Sequence, residues 1–246
     1  MPSLGFALRA IAMYFLVIGA ATIIGFVLVD QPRTTLEMLW RLLPLQILLV
    51  GFCVFIVHRY SRWSDVGFGR IRWVALLWLS PSILLMGLML NDVAPHVGSE
   101  MLGQIGMLGL SGLLLVPLLI GFSEEVMFRG ILLRGAMNRM PTSIAMVLSA
   151  MLFALLHAIS GVLVQTLWPT VEQLAFAFCV GLFLAPVALR IGSLWPLIFW
   201  HAAWDLIILT SQIVQVEHPL ALAGMLFQLA WCVPLWTKAV RMQRHG

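Results

Sequence analysis

Charged residues are scarce in this chain of 246 residues, and their scarcity excludes a water-soluble globular protein. Only 10% of the residues are Asp, Glu, Lys or Arg, and 62% are apolar. A soluble domain has about 25% charged residues. At about 20 apolar residues per bilayer crossing, the composition predicts one polytopic membrane domain over residues 1–246, with the lipid bilayer as its surroundings.

Cysteine is also scarce, and its placement excludes two kinds of site. Cys53, Cys179 and Cys232 lie far apart within apolar runs. Their odd number and wide spacing fit neither a disulfide framework nor a thiolate metal site. The net charge of +4 does not imply nucleic-acid binding, because in a membrane protein the distribution of Lys and Arg among the loops carries the information.

Long apolar runs account for most of the chain, and there is no internal repeat. They predict an all-α membrane helical bundle with about eight transmembrane helices. The first run is longer than the apolar region of a signal peptide, so we expect it to be a retained span. The runs cover residues 8–29, 40–57, 73–90, 102–121, 142–160, 173–189, 194–212 and 220–237.

The basic residues predict the orientation of the bundle. If the N-terminus is cytoplasmic, every Lys and Arg except Arg33 and Arg41 falls at the cytoplasmic side of the spans. The positive-inside rule therefore favours an arrangement with both termini cytoplasmic. The loops predicted on the other side, at 91–100, 159–172 and 215–219, contain no Lys or Arg.

Ionisable residues within membrane segments are candidate functional residues, because each one costs several kcal/mol unless it is paired or lies in a polar cavity. In this sequence they occur in three short motifs on the fourth, fifth and seventh runs. The motifs are Glu124-Glu125-x-x-x-Arg129, Phe153-x-x-x-His157 and His201-x-x-x-Asp205.

Helical spacing gives the two glutamates different surroundings. Glu125 and Arg129 are four residues apart, so they share a helix face and can form an ion pair. Glu124 points about 100° away from Glu125, on the face that also carries Phe128. We therefore expect Glu124 to face a cavity.

The turn at residues 138–142 predicts the depth of the site. If the fourth and fifth runs form an antiparallel hairpin about this turn, Glu124 and His157 lie about 16 residues from its centre and reach the same level. His201 lies 11 residues after Arg190, which is about 16 Å of helix. We expect a site within the membrane that opens toward the cytoplasmic half.

A carboxylate and imidazoles around a wet pocket can activate water and stabilise an oxyanion. No nucleophile competes with water in this set, because Ser123 is out of phase with a histidine partner and the cysteines lack one. The residues therefore favour direct attack by water on a carbonyl group.

The three motifs, in this order on successive membrane segments, resemble those of the CPBP intramembrane endopeptidases, the family of CAAX prenyl proteases and bacteriocin-processing enzymes that is also called Abi. The resemblance covers a catalytic core at about 100–212. It implies that Glu124 activates water with the aid of His157. It also implies structural or substrate-positioning roles for four other residues, namely Glu125, Arg129, Phe128 and Phe153.

The resemblance further implies that His201 and Asp205 line the oxyanion side of the site or bind a metal. Members of the family are described both as metalloproteases and as glutamate proteases. In the first case, zinc would bind Glu124, His157 and His201, since such a set leaves an open position. The family more often has Asn where this chain has Asp205. An ionised carboxylate cannot donate to an oxyanion, so Asp205 is expected to be protonated, to orient His201 or to bind a cation.

Two rival functions use the same residues. A proton-coupled transporter would relay protons through them, and a non-enzymatic bacteriocin-immunity or interaction protein would need no chemistry from them. In an inert protein the glutamates would be interfacial charges and His201 with Asp205 a structural pair. We predict a protease acting on a membrane-bound or lipidated peptide, without a nucleic-acid partner, in a bacterial inner membrane.

Overall fold

In the computed structural model the chain is folded into helices, as the apolar runs predict. The structure describes residues 2–27, 32, 34–164 and 166–243, without the side chains of 26–27, 100, 160–164 and 241–243. Within these residues it has no β-strand, only one isolated β-bridge between Phe68 and Ser193. Arg33, one of the two basic residues predicted on the far side, lies outside the described residues.

Each predicted run overlaps one long helix of the described chain, and a ninth, short helix follows the fourth. The first helix continues as a π-helical segment over Ile23–Val27, and the third run begins as a 3-10 helix over Trp73–Leu79. Residues 28–29 of the first run lie outside the described residues. The all-α fold is therefore confirmed. The described helices are α1 Leu4–Thr22, α2 Thr35–Tyr60, α3 Ser80–Val93, α4 Ser99–Glu125, α5 Leu133–Met137, α6 Thr142–Val164, α7 Leu167–Ile191, α8 Trp195–Val214 and α9 Ala221–Gln243.

Seven helical segments of the described chain are long and apolar enough to cross a membrane, and α9 is not among them. Gln228, Lys238 and Arg241 lower the hydropathy of α9 relative to the other long helices. Large apolar side chains such as Val74 and Met107 are more than 80% exposed, as expected of surfaces that contact lipid. The protein is thus an integral multi-pass membrane protein, and the orientation of its termini stays a prediction.

Local sequence signals set several helix ends. The Thr34 hydroxyl oxygen accepts a hydrogen bond from the Glu37 N–H at 3.1 Å, the arrangement that a T-x-x-E capping sequence gives at a helix start. At the end of α7, Gly192 has a φ of 81°, a left-handed conformation that glycine adopts without strain. The predicted loop at 159–172 is shorter than expected, because α6 extends to Val164 and α7 begins at Leu167.

The helix that carries the two glutamates does not end with them, contrary to the predicted end of the fourth run at residue 121. A π-helical segment over Val126–Leu132 follows α4 directly and leads into α5. Within this segment, the Phe128 carbonyl oxygen accepts two hydrogen bonds. One comes from the Leu133 N–H and the other from the Ser149 hydroxyl at 2.9 Å. The whole segment is buried, and Glu125 compensates the charge of Arg129 within the protein. The helix can therefore continue past the charged residues.

Close helix contacts bring the motifs together. α4 packs between α2 and α8, while α6 and α7 form a tightly packed hairpin. Gly121 lies one turn before the glutamates, and a Cβ atom there would be 2.8 Å from the Ile198 carbonyl oxygen. Similarly, a Cβ atom on Gly181 of α7 would be 2.7 Å from the Ala150 Cα atom of α6. Glycine at these two positions permits backbone approaches that a larger residue would prevent.

Replacing Gly121 with alanine should force α4 and α8 apart. We expect Gly121→Ala to lower the free energy of unfolding by about 1–3 kcal/mol, the typical cost of overpacking. Thermal unfolding in detergent can be followed through thiol labelling, because Cys53 and Cys232 are buried in the folded protein.

Gly87 on α3 provides a matched control. A Cβ atom there would meet nothing within 4 Å, so Gly87→Ala should leave stability unchanged or raise it by up to about 1 kcal/mol through helix propensity. Equal stability of the two variants would contradict the close-contact role of Gly121.

Candidate active site

A cavity of about 330 Å³ lies where the three motif-bearing helices meet. Glu124 from α4, His157 from α6 and both His201 and Asp205 from α8 line it. Side chains of α1 and α2, most of them apolar, form another part of the wall. The structure therefore brings the four residues predicted as catalytic around one pocket.

Glu125 has two donors for a single carboxylate oxygen. Its Oε1 atom accepts from Arg129 Nη1 at 3.0 Å and lies 3.0 Å from His201 Nδ1. The Glu125 side chain is fully buried and that of Arg129 is 1% exposed. The ion pair predicted from the spacing is thus present. The contact with His201 was not predicted, because helical spacing reveals partners only on the same helix.

His201 stands among three carboxylates. Its Nδ1 atom faces Glu125, and a carboxylate oxygen only accepts, so Nδ1 carries the proton. Its Nε2 atom lies 3.7 Å from Glu124 Oε2 and 3.7 Å from Asp205 Oδ2. The imidazole ring is therefore held by Glu125 on one side and turned toward the cavity on the other.

Glu124 differs from Glu125 in lining the cavity. Its Oε2 atom is buried, and no group of the described chain forms a hydrogen bond with it. The side chain is 12% exposed and lines the cavity. This is the arrangement expected from the different directions of the two glutamates, and it leaves Glu124 able to bind a water molecule or a substrate group.

His157 has a defined tautomer in its neutral form. Its Nδ1 atom lies 3.0 Å from the Phe153 carbonyl oxygen, which can only accept a hydrogen bond. Nδ1 therefore donates, and Nε2 bears the lone pair. Since the ring lines the same cavity as Glu124, a proton acceptor is available there beside the carboxylate.

The family comparison agrees with this geometry. Residues 106–207 match the model of the family described as type II CAAX prenyl endopeptidase Rce1-like, and the match includes all three motifs. This confirms the resemblance to the CPBP family and supports an intramembrane endopeptidase of the CAAX-protease type. No curated protein and no solved structure matches the chain.

Aromatic rings pack against the charged groups of the site. The Arg129 guanidinium carbon lies 4.1 Å from the centroid of the Phe153 ring, a cation–π contact. The same ring packs edge-on against Phe128 and His157, with centroids 5.3 and 4.8 Å away. Phe128 is fully buried, so both phenylalanines of the motifs have packing partners that fix the ion pair and the imidazole.

A second cavity of about 340 Å³ adjoins the first and also borders His157, His201 and Asp205. Its wall includes three stacked rings on α7 and α8, with Phe176 against Trp204 at 5.6 Å and Trp204 against Trp200 at 5.8 Å. These aromatic residues were not predicted as part of the site, since each falls in an apolar run where a packing role is the ordinary expectation.

Two glutamines were also missed by the sequence analysis. Gln46 from α2 and Gln173 from α7 line the first cavity, and Gln173 lines the second as well. A signal was available, because each is a polar residue within a predicted apolar run. Neither glutamine is ionisable, however, and the three motifs were defined by ionisable side chains.

The zinc site on Glu124, His157 and His201 that the resemblance allowed stays a prediction. Among the described residues, no group of three His, Cys, Asp or Glu side chains has an arrangement that could hold a metal ion. We therefore derive no chemical step that uses a metal.

Removal of Arg129 tests how much the buried Glu125–Arg129 ion pair contributes to stability. We expect Arg129→Leu to lower the free energy of unfolding by about 3–5 kcal/mol, because Glu125 keeps its buried charge without the guanidinium. Unfolding by SDS in mixed micelles measures this change.

The Glu37–Arg41 pair is a suitable control, since it has the same spacing and side chains that are 42% and 21% exposed. Arg41→Leu should cost less than about 1 kcal/mol. If both substitutions had the same small effect, the buried pair would not be a stability determinant.

Proposed function

We propose that this protein is an intramembrane endopeptidase in which Glu124 activates a water molecule for hydrolysis of a peptide bond. The observation that carries the proposal is the difference between the two adjacent glutamates. Glu125 is bound by Arg129 and His201 and is not among the residues that line the cavity, whereas Glu124 lines the cavity and its side chain is 12% exposed. Of the two, Glu124 is therefore the one that a substrate water in the cavity can reach.

The first step is proton transfer from water to Glu124. A base must lie within hydrogen-bond reach of the proton that it accepts, and the cavity position and partial exposure of the Glu124 side chain allow water to reach its carboxylate. His157 would hold the same water through Nε2, which bears the lone pair. The resulting hydroxide attacks the carbonyl carbon of the peptide bond, and the carbonyl oxygen becomes an oxyanion.

The second step needs a donor for that oxyanion. We assign this role to His201 with both ring nitrogens protonated, because Nδ1–H is bound by Glu125 and Nε2–H then points to the cavity. The carboxylates of Asp205, 3.7 Å from Nε2, and of Glu125, 3.0 Å from Nδ1, offset the imidazolium charge while Glu124 holds the proton of water. When the intermediate collapses, the C–N bond breaks and the proton on Glu124 passes to the leaving nitrogen. Oriented donors of this kind stabilise the transition state without reorganisation.

The substrate class follows from the surroundings of the site and from the name of the matched family. The catalytic groups lie within membrane-spanning helices, and much of the cavity wall is apolar. We propose a membrane-associated or lipid-modified peptide as the substrate, with a prenylated C-terminal segment as the form that the family name suggests. Entry from the cytoplasmic half of a bacterial inner membrane stays part of the proposal.

Glu124→Gln should abolish cleavage while the protein still folds. The amide cannot accept the proton of water, so we expect a loss of about 10²–10⁴-fold in kcat, the range for removal of a general base. Cleavage of a prenylated CAAX peptide by the purified protein in liposomes measures the rate, and thermal unfolding monitors the fold.

Glu217→Gln is the control for this substitution, because Glu217 is exposed beyond the end of α8 and should be dispensable. Unchanged cleavage by Glu124→Gln would rule out the proposed base. If proteoliposomes instead showed a Glu124-dependent proton flux without cleavage, the transporter hypothesis would be favoured.

Asp205→Asn tests the residue that departs from the family pattern. An amide can donate a hydrogen bond to an oxyanion and has nearly the shape of the carboxyl group, so we expect kcat to stay within about tenfold of the original value. Leucine has no polar group, so Asp205→Leu removes the polar contact between residue 205 and His201 and should reduce kcat by more than about 10²-fold. Equal activity of the Asn and Leu variants would show that Asp205 does not assist the reaction.

A further inference from the structure

The first cavity contains two amide groups that the proposed hydrolysis does not use. Gln46 is 7% exposed, lies in the middle of α2 and lines the cavity together with Glu124. Its Oε1 atom is buried and has no hydrogen-bond donor in the described part of the chain. The side chain is thus more than nine-tenths buried, and its acceptor is unpaired at the wall of the site.

Gln173 repeats the pattern on a different helix. It lies on α7, where it borders both cavities together with His157 and His201. Its Oε1 atom is likewise buried without a donor among the described residues. The two amides therefore approach the catalytic groups from separate helices, one at the first cavity alone and the other at the junction of the two.

An unpaired amide within a membrane protein carries a substantial cost. Transfer of such a group to apolar surroundings without a hydrogen bond costs several kcal/mol, and lipid offers no compensating partner. A leucine would fill the same volume without this cost. The position of both glutamines at the cavity wall thus indicates that their partner is a molecule that enters the cavity.

The chemistry of an amide narrows the class of that partner. A glutamine side chain presents one acceptor oxygen and one NH₂ donor group, the same pair of groups that a peptide backbone presents. An extended peptide has backbone N–H and C=O groups that must be satisfied when it leaves water. Glutamine can satisfy a backbone group of any sequence without adding a charge to the site.

We propose that Gln46 and Gln173 bind the main chain of the substrate, each by accepting a hydrogen bond from a backbone N–H through Oε1. This inference rests on the proposed peptidase function and adds its substrate-positioning residues. Gln173, at the junction of the cavities, binds the chain where it passes the catalytic histidines. Gln46 binds it farther along the first cavity.

Affinity measured without turnover tests the proposal separately from catalysis. The probe is a fluorescent farnesylated CAAX peptide, bound to protein that carries Glu124→Gln so that it is not cleaved. We expect Gln46→Leu and Gln173→Leu each to weaken binding by about 5–10-fold, the effect of one lost hydrogen bond. In protein with an intact Glu124 the same substitutions should raise KM by a similar factor and change kcat less.

Replacement of single amide bonds of the probe by ester bonds identifies the hydrogen bond itself. An ester lacks the N–H group. The ester at the position that Gln46 binds should therefore weaken binding to protein that has Gln46 but not to the Gln46→Leu variant. A different ester position should give the same pattern for Gln173 and Gln173→Leu. Such non-additivity is the signature of a direct contact in a double-mutant cycle. A merely structural role for either glutamine would give ester effects that add to those of the substitution.

Gln228 on α9 is a matched control, because it is fully buried with both amide atoms unpaired in the described chain but lies outside the residues that line the two cavities. Gln228→Leu should leave probe affinity unchanged. If the Gln46 and Gln173 variants bound the probe as well as the Gln228 variant does, the inference would be wrong. The proposed function would still stand if Glu124→Gln abolished cleavage.

Discussion

The carboxylate of Glu125 is the group on which the arrangement of the site depends. One of its oxygens is 3.0 Å from both Arg129 Nη1 and His201 Nδ1, in a part of the protein that excludes water. A buried charge of this kind persists only when it is paired and hydrogen-bonded. The need to compensate this charge therefore holds Glu125 of α4, Arg129 of the π-helical segment and His201 of α8 in one fixed geometry.

That constraint separates the functions of two neighbouring glutamates. Glu125 binds Arg129 and His201 outside the cavity lining, so it acts as an anchor that fixes the orientation of the His201 ring, as a buried carboxylate does in other hydrolytic sites. Glu124 lines the cavity and is suited to chemistry. The Phe153 ring helps to fix both parts of the site, because it contacts the guanidinium of Arg129 and the imidazole of His157.

Much of this site could be anticipated from the chain alone. The i and i+4 spacing of Glu125 and Arg129 predicted their ion pair, and the hairpin turn predicted that Glu124 and His157 reach the same cavity. The Glu125–His201 contact could not be predicted, because it joins residues 76 positions apart and depends on the close approach of α4 and α8 at Gly121. The continuation of the helix beyond the glutamates was missed for a related reason. Sequence patterns treat charges as the end of a membrane segment, whereas here the charges neutralise one another inside the bundle.

The sequence by itself determined that the chain lies in a membrane, that it is helical and that its buried ionisable groups fall in three motifs, because composition and helical periodicity depend only on near neighbours along the chain. Only the tertiary structure decided that His201 binds Glu125, and that two glutamines from α2 and α7 line the same cavity. Those facts depend on helix crossings, which are set by the fit of small residues such as Gly121 and Gly181 against a distant backbone.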